Sequence, residues 1–422
     1  MPNMFNNFFG FLKLFADKKF WVFFGSGFIV SVAYMDPGNW GTSISSGASF
    51  KYDLLWIVWL SSGMAMLFQY LSGKMGIAGY SLAEVIKIKW KSKTLVFFYW
   101  VLAEIAILAT DLAEFLGIVV ALNLLFGIPL LLGSLVAMLD VLLLLFLTRN
   151  SFKILEYAFI LFVSVIGISY VYEIFITHPD LSEVAAYSVK FSLTPETALF
   201  AVGIIGATVM PHALFVHSWL VKNKLKENRF LRDKQMILKY HKVDNVASLL
   251  VAGFINAAIM VMAAAAFYGS GHEVATIEQA YKTLTPLFGG LASTIFAVAL
   301  LSAGISSSIT GTLSGQAIME SLTDFKLSPT MRRLITRFVN LIPLVVAILL
   351  KIEPLQILVY SQVVLSLMIP LPLIPLIYYS SDKKLMGKFV NQRKTTVIAC
   401  IFALIILLFN GYLIYQTFFG NA

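Results

Sequence analysis

The stretch SVAYMDPGNW, residues 31–40, places an acid, a proline and a glycine in the middle of an apolar segment. Pro37 lacks a backbone donor and Gly38 adds backbone freedom, so a helix that passes through this segment should unwind between Asp36 and Asn39. Unwound backbone at membrane depth is tolerated only where it is buried in protein or lines a cavity. The stretch therefore predicts, for a membrane protein, an interrupted helix with a polar site at the break.

A second stretch, GATVMPH at residues 206–212, breaks another apolar segment at Pro211. The carbonyl of Ala207 has no helical donor, because the residue four positions further on is a proline. Free carbonyls and the ends of half-helices can bind ions, and interrupted helices at matching positions of two halves mark a transporter's binding site. The two stretches together predict such a site.

The composition is that of a chain whose solvent is the lipid bilayer. The 422 residues are 59% hydrophobic and 13% charged, whereas a soluble domain has about 25% charged residues. A membrane helix needs about 20 apolar residues. Eleven such runs begin near Phe20, Leu54, Leu95, Leu130, Phe152, Ala198, Val246, Leu287, Leu334, Leu355 and Thr396. We therefore expect an all-α integral membrane protein with eleven transmembrane helices.

The two breaks fall in the first and the sixth of these runs. Five spans separate them, so the second half enters the membrane in the opposite sense to the first. This pattern predicts an inverted repeat of five plus five helices, with broken helices 1 and 6 and an appended helix 11. Within a single transmembrane domain over residues 1–422, we expect repeat one at about 20–177, repeat two at about 195–380 and the extra helix at about 396–417.

Lysine and arginine are distributed very unevenly between the two sides. With a cytoplasmic N-terminus, 27 of the 31 basic residues fall in inside segments. The positive-inside rule therefore predicts this orientation, with the C-terminus outside a plasma (inner) membrane. The same distribution accounts for the net charge of +9 and for the basic loop at 222–242, so we expect no nucleic-acid partner.

Four groups at the breaks could bind a cation. A carboxylate such as Asp36 at the centre of a membrane helix costs about 2.5–3.5 kcal/mol, and a bound cation would offset that cost. Asn39 adds an amide oxygen, Ala207 its carbonyl and Met210 a thioether. Oxygen ligands alone suit Mg²⁺ or Ca²⁺, whereas a thioether favours softer metals. The set predicts Mn²⁺ or Fe²⁺, with Co²⁺ and Cd²⁺ also carried, although a packing role for Met210 stays open because the chain has 15 methionines.

Three acids of the third run lie on one side of the predicted helix. Glu104, Asp111 and Glu114 have offsets that place them on one face. Rows of acids inside a membrane often relay protons. The alternative is an ion-pair network that only holds helices together, and Arg332 and Arg333 at the start of the ninth run are candidate partners.

Other polar positions carry weaker signals. His212 could titrate near neutrality, or could be a hydrogen-bonded packing residue. Gly311 and Gly315 of the eighth run form a G-x-x-x-G pattern, which favours a helix-packing face over pore lining. Asp140 in the fourth run carries little information by itself. The single cysteine, Cys400, excludes a cysteine-built metal site.

Both break motifs, DPGN at 36–39 and ATVMPH at 207–212, resemble the signature motifs of the NRAMP family of proton-coupled divalent-metal transporters. The resemblance covers nearly the whole chain and implies a leucine-transporter-like (LeuT-like) fold of eleven helices. Further matching motifs are TDLAE at 110–114, SITGT at 308–312, RRLIT at 332–336 and SQVVLS at 361–366.

The resemblance also implies roles for individual residues. The metal ligands would be Asp36, Asn39, Met210 and the Ala207 carbonyl, with Gln362 lining the site in some conformations. The proton path would comprise Asp36, Asp111, Glu114, His212 and the Arg332–Arg333 pair, with Glu104 nearby. The protein would be a transporter and not an enzyme, with metal ions and protons as its partners in the bilayer and with no resident cofactor. A monomer would be sufficient for transport.

The chain departs from the family pattern at three positions. Ala213 and Ile305 replace a usual Asn and a usual Gln, and Met368 replaces a second Gln in the tenth run. These changes bear on proton coupling and fine selectivity, so an uncoupled or magnesium-type relative is the first alternative. Met210 argues against the magnesium carriers, in which the thioether is expected to be missing.

Three other classes of protein remain as alternatives. A sodium-coupled amino-acid carrier of the same fold would hold a substrate carboxylate at the break, which Asp36 would repel. A membrane metalloenzyme needs several His or carboxylate ligands, and the sequence has no such His cluster. A passive channel would more naturally use rings of residues in a symmetric oligomer.

Overall fold

The regular structure is helical throughout the part of the chain that the computed structural model describes, residues 17–149, 152–228, 231–269, 280, 289–323, 325 and 327–419. The predicted all-α class is confirmed. In chain order the helices are α1 Lys18–Phe23, α2 Ser26–Ala33, α3 Pro37–Phe50, α4 Leu55–Ala78, α5 Leu82–Lys89, α6 Lys93–Phe126, α7 Leu130–Ala137, α8 Asp140–Arg149, α9 Phe152–Thr177, α10 Leu181–Tyr187, α11 Pro195–Val209, α12 Pro211–Glu227, α13 Lys234–Phe267, α14 Gly290–Leu322, α15 Pro329–Leu349, α16 Pro354–Met368, α17 Pro370–Ser380, α18 Lys383–Met386 and α19 Arg393–Phe419.

The first span is a broken helix, although the break lies earlier than predicted. α2 ends at Ala33 and α3 begins at Pro37, with a bend of 51° across the break. Residues 34–36 are therefore the non-helical ones, and Asn39 belongs to α3. The reason is that Pro37 occupies the first position of α3, where its missing N–H is not needed. Asp36 is the N-cap of that half-helix.

The second break follows the same plan. α11 ends at Val209, α12 begins at Pro211, and Met210 alone joins them. Met210 has a positive φ of 40°, which is uncommon for a residue with a side chain and marks local strain. Both prolines therefore start a half-helix directly after the break.

The number of spans is not confirmed. Within the described residues, eight helical segments are long and apolar enough to cross a membrane, or nine with the bent pair that ends in α3. The fourth predicted run is split into α7 and α8, and the ninth, α15, carries three arginines that lower its apolar content. The eighth run begins its described helix at Gly290, and its predicted start near Leu287 lies outside the described residues.

α16 brings the two breaks together at Gln362. A Cβ added to Gly38 would lie 1.8 Å from Gln362 Nε2, and one added to Gly206 would lie 1.9 Å from the Gln362 carbonyl oxygen. Only glycine permits so close an approach on both sides. α6 approaches the first break in the same way, because a Cβ on Gly117 would lie 2.2 Å from Pro37.

Charged side chains are buried inside the bundle, and large apolar side chains are exposed on its outside. Asp36 and Arg337 have no exposed surface, whereas Phe175 and Leu408 are 75% and 62% exposed. This arrangement is the one expected of a protein whose surface faces hydrocarbon.

Candidate cation site and ion-pair cluster

Asp36, Asn39 and Ala207 meet where the two breaks face each other. The Asn39 amide nitrogen donates to Asp36 Oδ1 at 2.7 Å and to the Ala207 carbonyl oxygen at 2.9 Å. Asp36 is fully buried, and its second oxygen, Oδ2, has no hydrogen-bond partner among the described residues. A single amide group therefore bridges two oxygens that a cation could bridge instead.

Asn256 of α13 holds the Asn39 amide in this orientation. Its Nδ2 donates to the Tyr34 carbonyl at 2.8 Å and to Asn39 Oδ1 at 3.3 Å. Sequence reasoning missed Asn256, because a single Asn in an apolar run has no motif around it. It connects α13 to the non-helical residues of the first break.

Gln362 and Met210 are also next to the breaks, Gln362 against Gly38 and Gly206 and Met210 within the second break. Gln362 is fully buried against Gly38; its Nε2 donates to Ser361 Oγ at 3.1 Å, while its Oε1 has no partner in the described part of the chain. Met210 is fully buried, and its backbone N–H donates to the Gly206 carbonyl at 3.3 Å.

The assembled groups suit a partly dehydrated divalent cation. They offer one carboxylate, two amide oxygens, a backbone carbonyl and a thioether, from Asp36, Asn39, Gln362, Ala207 and Met210 respectively. A buried carboxylate with neutral neighbours is unfavourable until a cation binds. In the described residues no group of three or more His, Cys, Asp or Glu side chains could hold a metal. The mixed set is therefore the candidate.

A second polar cluster, the ion-pair cluster of Asp111, Asp140, Arg333 and Arg337, joins α6, α8 and α15. Arg333 pairs with Asp111 and, at 2.7 Å, with Asp140. Arg337 pairs with the same two carboxylates and lies 4.5 Å from the centre of the Phe115 ring. None of the four charged side chains is more than 6% exposed. Two guanidiniums and two carboxylates thus neutralise each other in the interior.

Glu104 and Arg332 form a separate pair beside the ion-pair cluster. Arg332 Nη2 lies 2.5 Å from Glu104 Oε2, and the Trp100 indole donates to Glu104 Oε1 at 2.8 Å. The Arg332 guanidinium covers Gly315, where an added Cβ would lie 2.3 Å from its Nε.

The predicted packing role of the G-x-x-x-G pattern needs correction. Gly311 faces the Glu114 carboxylate, at 2.8 Å from an added Cβ, as Gly315 faces Arg332. The two glycines make room for charged side chains. The close backbone approach of α14 to α6 occurs instead at Gly304, where an added Cβ would lie 3.1 Å from the Ile118 nitrogen.

Glu114 differs from the acids of the ion-pair cluster in the hydrogen bonds of its carboxylate. Neither of its oxygens has a hydrogen-bond partner in the described residues, and Arg333 Nη1 is 3.9 Å from its Oε2. Gly117, one turn further along α6, packs against Pro37 of the first break. Glu114 therefore lies on the side of α6 that faces both the cation site and the ion-pair cluster.

His212 connects the second break to α6. It is buried in the first turn of α12, and its Nδ1 lies 3.1 Å from Thr110 Oγ1. Its Nε2 has no partner within the described residues. The residue that follows Thr110 is Asp111, so His212 reaches the row of acids on α6.

Sequence reasoning gave too little weight to Asp140 and Arg337. Asp140 receives both guanidiniums of the ion-pair cluster, and Arg337 lies one turn beyond Arg333 on the same face of α15. The spacing of the two arginines was a signal for Arg337. For Asp140 no local signal exists, because its partners lie 193 and 197 residues away.

A pair of broken helices around a buried carboxylate defines the class as a secondary transporter of LeuT-like fold. The structure of Mhp1, a transporter of the nucleobase-cation-symport-1 family, matches 92% of this chain and 88% of its own with a TM-score of 0.53 at 15% identity. At this low identity the similarity shows the fold alone. The Nramp family, described as natural resistance-associated macrophage protein-like, matches residues 27–416. The chain belongs to this family.

Relatives and solved structures agree with that assignment. The divalent metal cation transporter MntH of Deinococcus radiodurans is 41% identical over 400 residues, which cover 94% of this chain and 90% of the relative. MntH of Listeria monocytogenes is 41% identical over 410 residues, 95% of this chain and 91% of the relative. The crystal structure of an Eremococcus coleocola manganese transporter has a TM-score of 0.85 at 33% identity and covers 96% of this chain and 89% of its own.

Proposed function

We propose that this protein imports divalent transition-metal ions, Mn²⁺ or Fe²⁺, together with protons. The observation that carries the proposal is the buried Asp36 Oδ2, which has no hydrogen-bond partner in the described part of the chain and lies beside an amide that holds the Ala207 carbonyl. Relatives named as divalent metal cation transporters and a neighbour named as a manganese transporter support the class of substrate. The basic residues favour a plasma-membrane protein with a cytoplasmic N-terminus.

The metal would take the place that the Asn39 amide nitrogen occupies. It would bridge Asp36 and the Ala207 carbonyl, and rotation of the Asn39 amide would turn Oδ1 toward it. Gln362 Oε1 and the Met210 sulfur would complete the set. The thioether would disfavour Mg²⁺ and Ca²⁺, which prefer oxygen ligands only.

Protons would move along titratable groups whose hydrogen-bonding atoms are not all satisfied. Glu114 and His212 have polar atoms without hydrogen-bond partners among the described residues, and each can take up a proton between the Asp36 site and α6. Asp111, Glu104, Arg332 and Arg333 would set the charge around that route as ion pairs. A metal with two positive charges arriving at Asp36 would favour release of any proton held there.

The test is uptake into proteoliposomes that contain the purified protein and a pH-sensitive dye. We expect saturable Mn²⁺ uptake with acidification of the lumen, unaffected by excess Ca²⁺, and neither signal from folded Asp36→Asn protein. Absence of Mn²⁺ uptake by folded wild-type protein would refute the proposal. Inhibition by equimolar Ca²⁺ would refute the role of the thioether.

The second candidate function is metal transport that is not coupled to protons. Ala213, the residue beside His212, favours it. Ala213 is fully buried and brings no polar group to that position. Mn²⁺ uptake without acidification would support this candidate. In that case Ala213→Asn, which introduces the residue usual in the family, should restore acidification.

A further inference from the structure

A basic cavity of about 590 Å³ lies between α4, α13 and the segment that joins α18 to α19. Three lysines line it, one from each of these elements: Lys74, Lys242 and Lys388. Among the described residues that line it, none is acidic. The cavity is separate from the cation site and from the ion-pair cluster.

Lys74 is a buried cation whose described neighbours are neutral. The residue is 4% exposed; its ammonium group donates to Asn391 Oδ1 and lies 5.4 Å from the centre of the Tyr70 ring. Among the described residues none of the three lysines forms an ion pair. A buried charge without a counter-charge is unfavourable, so this cavity is suited to an anion.

The rest of the cavity is apolar and reaches the lipid-facing surface. Met66, Leu67 and Val246 line it, and Val246 is 41% exposed on the outside of α13. Gly63 also lines it and faces open space, because an added Cβ would meet no atom within 4 Å. A ligand that fits must therefore combine an anionic group with hydrocarbon.

The lysines lie at one end of the bundle. Lys74 is in the last turn and a half of α4, Lys242 in the first third of α13 and Lys388 just before α19. The positive-inside rule assigns this end to the cytoplasm. Basic pockets between helices on that side bind lipid head groups.

We infer that this cavity binds an anionic phospholipid of the cytoplasmic leaflet. The phosphate would lie among Lys74, Lys242 and Lys388, and an acyl chain would follow Met66 and Val246. The lipid would connect α4, α13 and the start of α19. Lipid binding in this cavity is independent of the transported substrate.

Native mass spectrometry of the purified full-length protein tests the inference, with phosphatidylglycerol and phosphatidylcholine as probes. We expect one phosphatidylglycerol to bind preferentially, and K242Q/K388Q to weaken its binding about tenfold or more. The control K239Q/K384Q removes the same charge from exposed lysines of α13 and α18 that do not line the cavity. Equal losses in the two double variants would overturn the assignment, because general surface charge would then explain binding.

Gly63→Phe distinguishes a lipid from free phosphate. The added ring would fill the apolar part of the cavity without touching the lysines, and the change removes a helix glycine, so folding should be retained. We expect it to weaken phosphatidylglycerol binding and to abolish the rise in melting temperature that this lipid gives the wild type. Unchanged lipid binding in Gly63→Phe, or displacement of the lipid by inorganic phosphate at millimolar concentration, would overturn a lipid site in favour of an ion site.

Discussion

The protein buries carboxylates in two neighbouring regions. The carboxylates of one region are paired with guanidinium groups, and that of the other is not. In the ion-pair cluster, Asp111 and Asp140 are each held by two guanidiniums. At the cation site, Asp36 accepts hydrogen bonds from the neutral Asn39, and its other oxygen has no hydrogen-bond partner among the described residues. A saturated buried pair holds helices in place, whereas an unsatisfied carboxylate is available for a ligand.

The comparison assigns different tasks to residues that look alike in the sequence. Glu114 belongs with Asp36, since both of its oxygens lack hydrogen-bond partners in the described residues. Asp111 belongs with Asp140, although it lies three positions from Glu114 on the same helix. Substitutions in the first group should change transport, and those in the second should change stability.

The largest expected effect is the loss of stability in Asp140→Asn. Removing one partner of a buried pair leaves a charge uncompensated and costs about 3–5 kcal/mol. Arg333 and Arg337 would then share the single carboxylate of Asp111. The measurement is the free energy of unfolding in detergent, with Asp36→Asn as the matched control. An equal loss in both variants would mean that the two regions do not differ.

The next effect is on metal affinity, in Asp36→Asn. Loss of the Asp36 carboxylate from the cation site should weaken Mn²⁺ binding about 100-fold, or about 2.7 kcal/mol. Stability should change little, because the Asn side-chain oxygen can still accept from the Asn39 N–H and cap α3. Calorimetric titration with Mn²⁺ measures the change. Wild-type affinity in folded Asp36→Asn protein would place the metal elsewhere.

Sequence reasoning succeeded where the signal was local. Proline next to a polar residue in an apolar run predicted both breaks, and Gly38 of the DPGN pattern lies where the chain comes close to α16. The first break was placed too late, because proline was taken to interrupt a helix. In the structure Pro37 begins one.

The remainder could not be predicted because it depends on contacts between distant helices. Asn256 meets the first break across 217 residues, and Asp140 meets Arg337 across 197. Neither residue belongs to a motif. Which of the α6 acids is paired and which is open depends on the position of α15, and spacing along α6 cannot show that.

A smaller effect, on selectivity, is expected for Met210→Ala. Without the thioether, oxygen ligands remain, and Ca²⁺ should compete with Mn²⁺ about tenfold better. The measurement is the Ca²⁺ concentration that halves Mn²⁺ uptake. Met35→Ala, at a buried methionine of the first break, is the control for lost packing. A similar gain in both variants would show that Met210 acts through packing and not through its sulfur.

The smallest expected effect concerns the connection between the two regions. Thr110→Val removes the hydroxyl that lies 3.1 Å from His212 Nδ1 while keeping the size of the side chain. A hydrogen bond of this kind contributes about 0.5–1.5 kcal/mol, so acidification during Mn²⁺ uptake should slow by about threefold with unchanged Mn²⁺ affinity. Thr312→Val is the control, because its hydroxyl donates at 2.9 Å to the Ser308 carbonyl of its own helix. If Mn²⁺ affinity falls together with acidification, His212 serves the cation site directly, and the separation of metal and proton groups would be wrong.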